Sequence, residues 1–320
     1  MVNLDWNRPV ARELVHRADS TEVLVTDGHR VGPDRFRCAA RWRRNHRTYA
    51  PNPGRRHSPL LVAETIRQAC LFLSVEFLGV PQESHFVIKS LGFDIDQENE
   101  PRDDGDSTDL VLDVRVSKVR RDAGSGQPVA LAMEAEYAAA GRPFAGASGA
   151  ARIFDDRSYS ALRTAGAGAE PRVQEQPRAQ EQQLTRPAAG QVAVATADDV
   201  VVARTADGRW VVDPADTRHP FFFDHTVDHL PGMLLLEAAR QHALLGLGDP
   251  HLRLTRLRMR PLRFAETAPP PHFEADAADE ADAAGNGAGV RAFRLMQAGD
   301  CVLEGELGFS RAADSMCDAQ

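Results

Sequence analysis

Two short stretches of the chain, residues 59–68 and 232–241, are apolar at almost every position and align with each other without a gap. A helix that is apolar on nearly all sides is typical of a protein interior. The same offset along the chain relates His46 to His219, upstream of the two stretches. The pattern predicts two copies of one domain, each built around a buried helix.

Both predicted helices carry charged residues, which buried surfaces exclude unless the charges are paired or have a function. Each helix has a Glu, an Arg three positions later and a Gln directly after it: Glu64, Arg67 and Gln68 in the first copy, and Glu237, Arg240 and Gln241 in the second. Residues three and four positions apart lie on the same face of a helix. Each set is therefore expected to form one polar cluster inside its domain.

Runs of alternating apolar and polar residues flank both helices and are typical of strands with one buried face. They lie at 109–116, 129–137 and 147–154 in the first half, and at 252–264, 290–296 and 302–309 in the second. The runs 200–204 and 209–212 enclose Asp207 and Gly208, a pair that favours a tight hairpin turn. Both halves thus combine one helix with several antiparallel strands.

Residues 164–190 contain no aromatic side chain and consist mainly of Ala, Gln, Glu, Pro and Arg. Such a stretch cannot bury enough apolar surface to fold by itself, so it predicts a disordered linker. The linker separates an N-terminal domain at 20–157 from a C-terminal domain at 195–310. A second low-complexity stretch, 275–289, predicts a disordered loop tip in the C-terminal domain.

The order of elements indicates an α+β fold. A curved antiparallel sheet can wrap one side of a single apolar helix, and a second copy of the domain can cover the open side. A long central helix wrapped by an antiparallel sheet is the hotdog arrangement. The sequence therefore predicts two tandem hotdog domains that form a pseudo-dimer within one chain.

Composition and charge narrow the possible functions. A net charge of −8 argues against non-specific nucleic-acid binding by the whole chain. The arginines between 253 and 263 alternate largely with Leu and Met, which predicts an outward-facing basic row for an acidic partner. The N-terminus lacks the apolar core of a signal peptide, no apolar run is long enough to span a bilayer, and the 4 Cys show no CxxC spacing. These features predict a cytoplasmic protein without disulfides or membrane attachment.

The richest motif, at residues 219–238, reads HPFFFDHTVDHLPGMLLLEA. It resembles the signature of β-hydroxyacyl-ACP dehydratases, which are hotdog enzymes with His-Pro-Phe-Phe, Gly-His, Pro-Gly-Val-Leu and Glu-Ala in this order. Asp224 and His225 stand where the dehydratases have Gly-His, and the loop that follows is shorter. Arg240 is also foreign to that signature.

The whole chain is more similar to the A-factor biosynthesis (AfsA-like) family of tandem-hotdog proteins. The resemblance rests on Phe36 with the stretch 41–49, on HSPLLVAETIRQ at 57–68, on Gly-Val-Pro at 79–81, and on 224–241. It implies an acyltransferase that moves a β-ketoacyl group from acyl carrier protein to dihydroxyacetone phosphate, with no cofactor. The ester then cyclises to a butenolide phosphate, a precursor of γ-butyrolactone-type signals that control secondary metabolism. Whether the chain forms oligomers is left open.

The polar residues of the two helices suit this reaction. An alcohol that attacks a thioester needs a general base, and burial raises the pKa of a carboxyl group, so Glu64 and Glu237 are candidate bases. The acceptor phosphate needs a fork of donors, which Arg67 or Arg240 can supply. Backbone N–H groups at the start of the second helix, near Gly232, can stabilise the oxyanion.

Further candidates lie beside these residues. His225 and His229 come shortly before the second helix and are candidates for catalysis, while Gln68 and Gln241 are candidates for substrate binding. Hotdog sites lie between two copies of the domain, so Glu64 and Arg240 in particular are expected to face one cavity. Hotdog chemistry needs no metal, and a metal site is not expected.

Other interpretations stay open from the sequence alone. Each Glu–Arg pair could be an internal salt bridge, and His46 and His219 are better explained as hydrogen-bonding residues than as catalysts. A dehydratase or thioesterase of the same fold is one alternative function. A degenerate hotdog that binds an acyl or lactone ligand as a regulator is another. The absence of GxGxxG, Walker-type and Gly-x-Ser-x-Gly motifs argues against nucleotide-binding proteins and serine hydrolases.

Overall fold

The structure of the chain, a computed structural model, describes residues 3–44, 46, 56–102, 107–166, 184–224, 228–274 and 289–311. The first half contains β1 (Val25–Arg30), β2 (Arg35–Arg43), α1 (Leu60–Leu78), β3 (His85–Ile95), β4 (Ser107–Arg121), β5 (Pro128–Ala139), β6 (Arg142–Phe154) and α2 (Asp156–Gly166). The second half contains β7 (Val202–Arg204), β8 (Trp210–Val212), α3 (Gly232–Leu247), β9 (Leu252–Pro261), β10 (His272–Phe273), β11 (Gly289–Gln297) and β12 (Asp300–Arg311). Most of the predicted linker and of the predicted loop tip lies outside the described residues.

The strands that the structure describes form one antiparallel sheet, in the order β1-β2-β4-β5-β6-β3-β9-β12-β11-β10-β8-β7. From either edge of the sheet towards its centre, corresponding strands of the two halves occur in the same order. This order is β1-β2-β4-β5-β6-β3 in the first half and β7-β8-β10-β11-β12-β9 in the second. The halves join where β3 pairs with β9, so that Leu91 lies opposite Met259 and Asp94 opposite Arg256. The prediction of two tandem hotdog domains within one chain is confirmed.

Helices α1 and α3 begin at Leu60 and Gly232, where the repeated sequence predicted them. Each helix packs against strands of its own half. Both helices end at a glycine with positive φ, Gly79 (78°) and Gly248 (68°), a conformation that other residues adopt only with strain. Among the described residues, no helix is long and apolar enough to cross a membrane.

The second half of the sheet is the shorter one. Strand β4 has 15 residues, whereas β10, at the corresponding place, has 2. A surface cleft of about 270 Å³ lies in this half, with Trp210, His242 and Phe293 among its lining residues. The two copies therefore share one topology but differ in how far their sheets extend.

Helix α2 was not predicted, and its last residues overlap the start of the predicted linker at 164–190. Its Arg163 donates hydrogen bonds from Nε to Asp228 (2.8 Å) and from Nη1 to Glu266 (2.8 Å). Both partners belong to the second half. The chain is thus attached to the second half before the linker begins.

A buried ion network joins the two halves near the start of α1. Glu100 accepts hydrogen bonds from Nη1 of Arg56, at 3.2 Å, and from Nε of Arg253, at 2.8 Å. Arg253 also donates from Nη2 to the carbonyl oxygen of His57, at 2.7 Å. The side chains of Arg56, Glu100 and Arg253 are at most 5% exposed. One carboxylate therefore connects arginines from both halves.

The expectation that the arginines of 253–263 all face outward is wrong at Arg253. The pairing of β9 with β12 is irregular next to Thr255, which interrupts the alternation of inward and outward side chains. Arg256 and Arg258 do lie on the surface, where both pair with Asp94. Arg253 therefore belongs to a buried ion network, whereas Arg256 and Arg258 of the same strand form exposed ion pairs.

This difference predicts different effects on stability for two substitutions in β9. Arg253→Ala leaves Glu100 buried with one partner fewer and should lower the free energy of unfolding by about 3–5 kcal/mol. Arg256→Ala removes only an exposed ion pair and should cost less than about 1 kcal/mol. Urea denaturation followed by circular dichroism measures both. Equal losses would contradict the buried role of Arg253.

Candidate active site

The carboxylate of Glu64 lies at the centre of a polar cluster on α1 and is fully buried. It accepts five hydrogen bonds, two from Arg17 (3.2 and 2.7 Å), two from Arg67 (2.8 and 2.8 Å) and one from Gln68 (2.7 Å). Four of the five reach Oε1. We call Glu64, Arg67 and Gln68 the first anchor.

The first anchor fastens α1 to the segment that precedes β1. The amide of Gln68 accepts a hydrogen bond from the backbone N–H of Leu24 (2.7 Å) and donates one to the carbonyl oxygen of Glu22 (2.8 Å). Nη2 of Arg67 donates to the carbonyl oxygen of Val15 (3.3 Å). These bonds satisfy backbone groups that would otherwise be buried without partners.

The second anchor consists of Glu237, Arg240 and Gln241 on α3. The carboxylate of Glu237 accepts hydrogen bonds from Nε and Nη2 of Arg240 (2.8 and 2.6 Å) and from Gln241 (2.7 Å). All three residues are buried. Arg240 thus pairs with the glutamate of its own helix. That Glu64 and Arg240 face one cavity stays a prediction.

The second anchor makes the same backbone contacts as the first. Gln241 accepts from the N–H of Val201 (2.9 Å) and donates to the carbonyl oxygen of Asp199 (2.8 Å). Nη2 of Arg240 donates to the carbonyl oxygen of Val192 (2.9 Å). The repeat in the sequence therefore corresponds to a repeat in bonding.

Glu64 does not have the raised pKa that its burial suggests. Burial alone raises the pKa of this carboxyl group, but the charges and hydrogen bonds of Arg17 and Arg67 outweigh it and lower the pKa to about 2. Glu64 is therefore a stable carboxylate at neutral pH. The expectation of a raised pKa was wrong here, because it did not count two guanidinium groups on one carboxylate.

Arg17 is the residue of this cluster that sequence reasoning missed. Its Nη1 donates to the carbonyl oxygen of Phe221 (2.8 Å) and lies 3.4 Å from Oδ2 of Asp224, and its guanidinium carbon is 4.2 Å from the centre of the Phe221 ring. Arg17 thus links Glu64 to the loop before α3. Its position before β1, in an unremarkable loop, gave no signal of this role.

Two histidines form equivalent buried pairs. Nε2 of His46 lies 3.0 Å from Oε2 of Glu22, and Nε2 of His219 lies 3.1 Å from Oδ1 of Asp199. Glu22 and Asp199 are the same residues whose carbonyl oxygens accept from the two anchor glutamines. The hydrogen bond of His219 to Asp199 agrees with its interpretation as a hydrogen-bonding residue. The same interpretation of His46 stays a prediction.

His229 lies three residues before α3, and its described contacts are with Asp228, with Tyr159 on α2 and with Phe264. Nδ1 of His229 is 2.7 Å from Asp228 Oδ1 and 3.4 Å from the hydroxyl oxygen of Tyr159, and its ring packs edge-on against Phe264. None of these partners belongs to either anchor. His225 lies outside the described residues. Within the described ranges, no group of three or more His, Cys, Asp and Glu could hold a metal ion.

Gly232 is the first residue of α3 and is closely packed. A Cβ atom on Gly232 would lie 3.2 Å from Cδ1 of Ile88 on β3, a strand of the first half. The first N–H groups of a helix have no partner within the helix, so they can donate to a negatively charged atom. The start of α3 therefore lies beside a strand of the other half.

The lowered pKa of Glu64 predicts a pH-dependent contribution to stability. The ionised form is bound more tightly in the folded state, so its contribution is complete above the unfolded pKa of about 4.5 and is lost as the pH falls towards about 2. Glu64→Gln should lower the free energy of unfolding by about 3–5 kcal/mol at pH 7 and by progressively less below pH 4.5. The exposed Glu76 on the same helix supplies the control Glu76→Gln. A Glu64 effect that does not change with pH would contradict the ion network.

The chain matches a known protein family and several named relatives. The family described as the A-factor biosynthesis hotdog domain matches residues 3–155 and 174–270. A 2-oxo-3-(phosphooxy)propyl 3-oxoalkanoate synthase from Streptomyces virginiae is 34% identical over 278 residues, which is 85% of this chain and 89% of the relative. A protein of the same name from Streptomyces coelicolor is 32% identical over 262 residues, 81% of this chain and 79% of the relative. Both anchors lie within the family match.

A solved structure also resembles the chain in shape. The acyl-ACP thioesterase from Bacteroides thetaiotaomicron is 12% identical, with a TM-score of 0.47 over 86% of this chain and 98% of the thioesterase.

Proposed function

Because the chain belongs to the A-factor biosynthesis hotdog family, we propose that it transfers a β-ketoacyl group from a thioester to a hydroxyl group of dihydroxyacetone phosphate. The relatives are named for such a product, a 2-oxo-3-(phosphooxy)propyl 3-oxoalkanoate. The chain spans most of their length. Family membership carries the proposal, and the two buried Glu–Arg sets supply groups that fit the chemistry.

In this transfer the hydroxyl oxygen of the acceptor bonds to the thioester carbonyl carbon and the carbon–sulfur bond breaks. The hydroxyl proton passes to the departing thiolate, so no outside proton donor is needed. A carboxylate within hydrogen-bond reach can accept this proton and return it to the sulfur. The anchor glutamates, Glu64 and Glu237, are the candidates for this step, and the lowered pKa of Glu64 makes it a weaker base than an ordinary carboxylate.

The acceptor phosphate and the developing oxyanion require donors. Arg67 and Arg240 are the candidates for the phosphate, and their side chains are 19% and 8% exposed. A guanidinium group can bind two phosphate oxygens at once. The N–H groups at Gly232 are the candidates for the oxyanion, because donors fixed there need no reorganisation as charge develops.

The ester can then cyclise without a further reactant. The carbon between the two carbonyl groups of the β-ketoacyl unit is acidic and can attack the ketone of the acceptor within the same molecule. Loss of water from this adduct gives a butenolide phosphate. We propose this ring as the product that later steps convert to a γ-butyrolactone-type signal.

Incubation of the purified chain with a β-ketoacyl thioester and dihydroxyacetone phosphate tests the proposal. Mass spectrometry should detect the phosphorylated ester or butenolide, together with one free thiol for each acyl group transferred. Omission of dihydroxyacetone phosphate should abolish thiol release. Equal release without the acceptor would indicate a thioesterase. Dehydration of a 3-hydroxyacyl thioester would indicate a dehydratase.

We further propose that the acyl group arrives on acyl carrier protein. Carrier proteins are acidic and this chain has a net charge of −8, so docking requires a local basic surface. Arg256, Arg258 and Arg260 on β9 have side chains that are 55%, 47% and 64% exposed. Their carboxylate partners, Asp94 and Glu304, lie on the neighbouring strands β3 and β12.

Charge reversal of Arg256 and Arg258 to Glu should raise the KM for acyl carrier protein about 10-fold at low salt and less at high salt. The turnover of a small acyl thioester should not change, because that donor needs no protein surface. Arg37→Glu together with Arg115→Glu reverses two other exposed arginines, on β2 and β4, and serves as the control for net charge. An equal loss with both donors would place the two arginines in the active site or the fold and not in docking.

A further inference from the structure

Helices α1 and α3 begin at equivalent junctions between the halves, and these junctions are closed in different ways. Arg56 and His229 hold the same place, each three residues before its repeated apolar stretch. At each place a strand of the other half comes close, β9 with Arg253 at the start of α1 and β3 with Ile88 at the start of α3. The fold therefore has two comparable junctions at which the start of a helix meets the opposite half.

The junction at α1 is sealed by buried charges. Glu100 holds Arg56 and Arg253, one arginine from each half, and the side chains of all three residues are buried. A buried ion pair is costly to break, because each separated charge would be left without its partner. We therefore expect this junction to stay closed as long as the protein is folded.

The junction at α3 is covered by α2, and this cover is held at the protein surface. None of the residues 156–165 is buried. Arg163 pairs with Asp228 and Glu266, whose side chains are 50% and 45% exposed. Exposed ion pairs contribute little to stability, and an element with few buried contacts opens more easily than the core. The α3 junction is therefore the easier of the two to open.

Tyr159 places α2 directly beside the residues that lead into α3. Its ring stacks on the ring of His85 on β3, with the centroids 4.1 Å apart. Its hydroxyl group donates a hydrogen bond to Oδ1 of Asp228 (2.9 Å) and lies 3.4 Å from Nδ1 of His229. Helix α2 thus bridges β3 and the approach to Gly232, where the candidate donors for the oxyanion lie.

We propose that α2 is a movable cover over the start of α3, and that the acyl substrate enters there and not at the start of α1. This inference rests on the proposed acyl transfer. The acyl group must reach the reacting groups and then be kept from water, because water competes with the acceptor hydroxyl for the thioester. A helix with exposed contacts can open for the substrate and close behind it, whereas the buried ion network at α1 holds its junction shut.

Hydrogen exchange with a stable β-ketoacyl pantetheine analogue, in which a methylene group replaces the thioester sulfur, tests the entrance. The saturating analogue should slow exchange in residues 156–166 about 10-fold, because it holds the cover closed, and should leave residues 96–100 of the α1 junction unchanged. Slower exchange in 96–100 alone would overturn the proposal, as would no change in either segment. Slower exchange in 156–166 without product formation would support the cover and refute the proposed function.

The matched variants Arg163→Ala and Arg157→Ala test how the cover is held. Both arginines belong to α2, and Arg157 is exposed. Arg163→Ala should speed exchange in residues 156–166 about 10-fold. It should also raise hydrolysis of the thioester to the β-keto acid and free thiol, without acceptor, about 10-fold, since water then reaches the acyl group. Arg157→Ala should leave both rates unchanged. Equal effects of the two substitutions, or no effect of Arg163→Ala, would refute the proposal.

Discussion

The structure depends on a buried carboxylate that is held by a guanidinium group from its own helix. Burial of a lone charge is costly, so each anchor is stable only when its Glu, Arg and Gln are in place together. Gln68 and Gln241 extend each cluster to backbone groups before the first strand of their half. The same contacts thus fix the helix and the chain that enters the sheet.

The chain contains two copies of this arrangement, and the strand order of the sheet is pseudo-twofold symmetric about the β3–β9 pair at its centre. At the first anchor a second arginine, Arg17, bonds Glu64 and links it to the other half. At the second anchor, Glu237 accepts three hydrogen bonds from the part of the chain that the structure describes, all from its own helix.

Much of the fold could be predicted, because its signals are local or repeated. The two apolar stretches with the same polar residues predicted both helices. The alternation of apolar and polar residues predicted strands such as β5 and β6. The missed features depend on distant partners. Arg17 lies 47 residues from Glu64, and Arg253 lies 153 residues from Glu100. Helix α2 is held by contacts of Arg163 with the second half, which its own sequence does not reveal.

The ionisation state of Glu64 tests the central claim most directly. Infrared spectroscopy of protein with ¹³C-labelled glutamate, after subtraction of the Glu64→Gln spectrum, isolates the carboxyl band of this residue. The claim predicts a carboxylate band that persists from neutral pH to about pH 3, since two guanidinium groups lower the pKa to about 2. A protonated carboxyl band near neutral pH would contradict it.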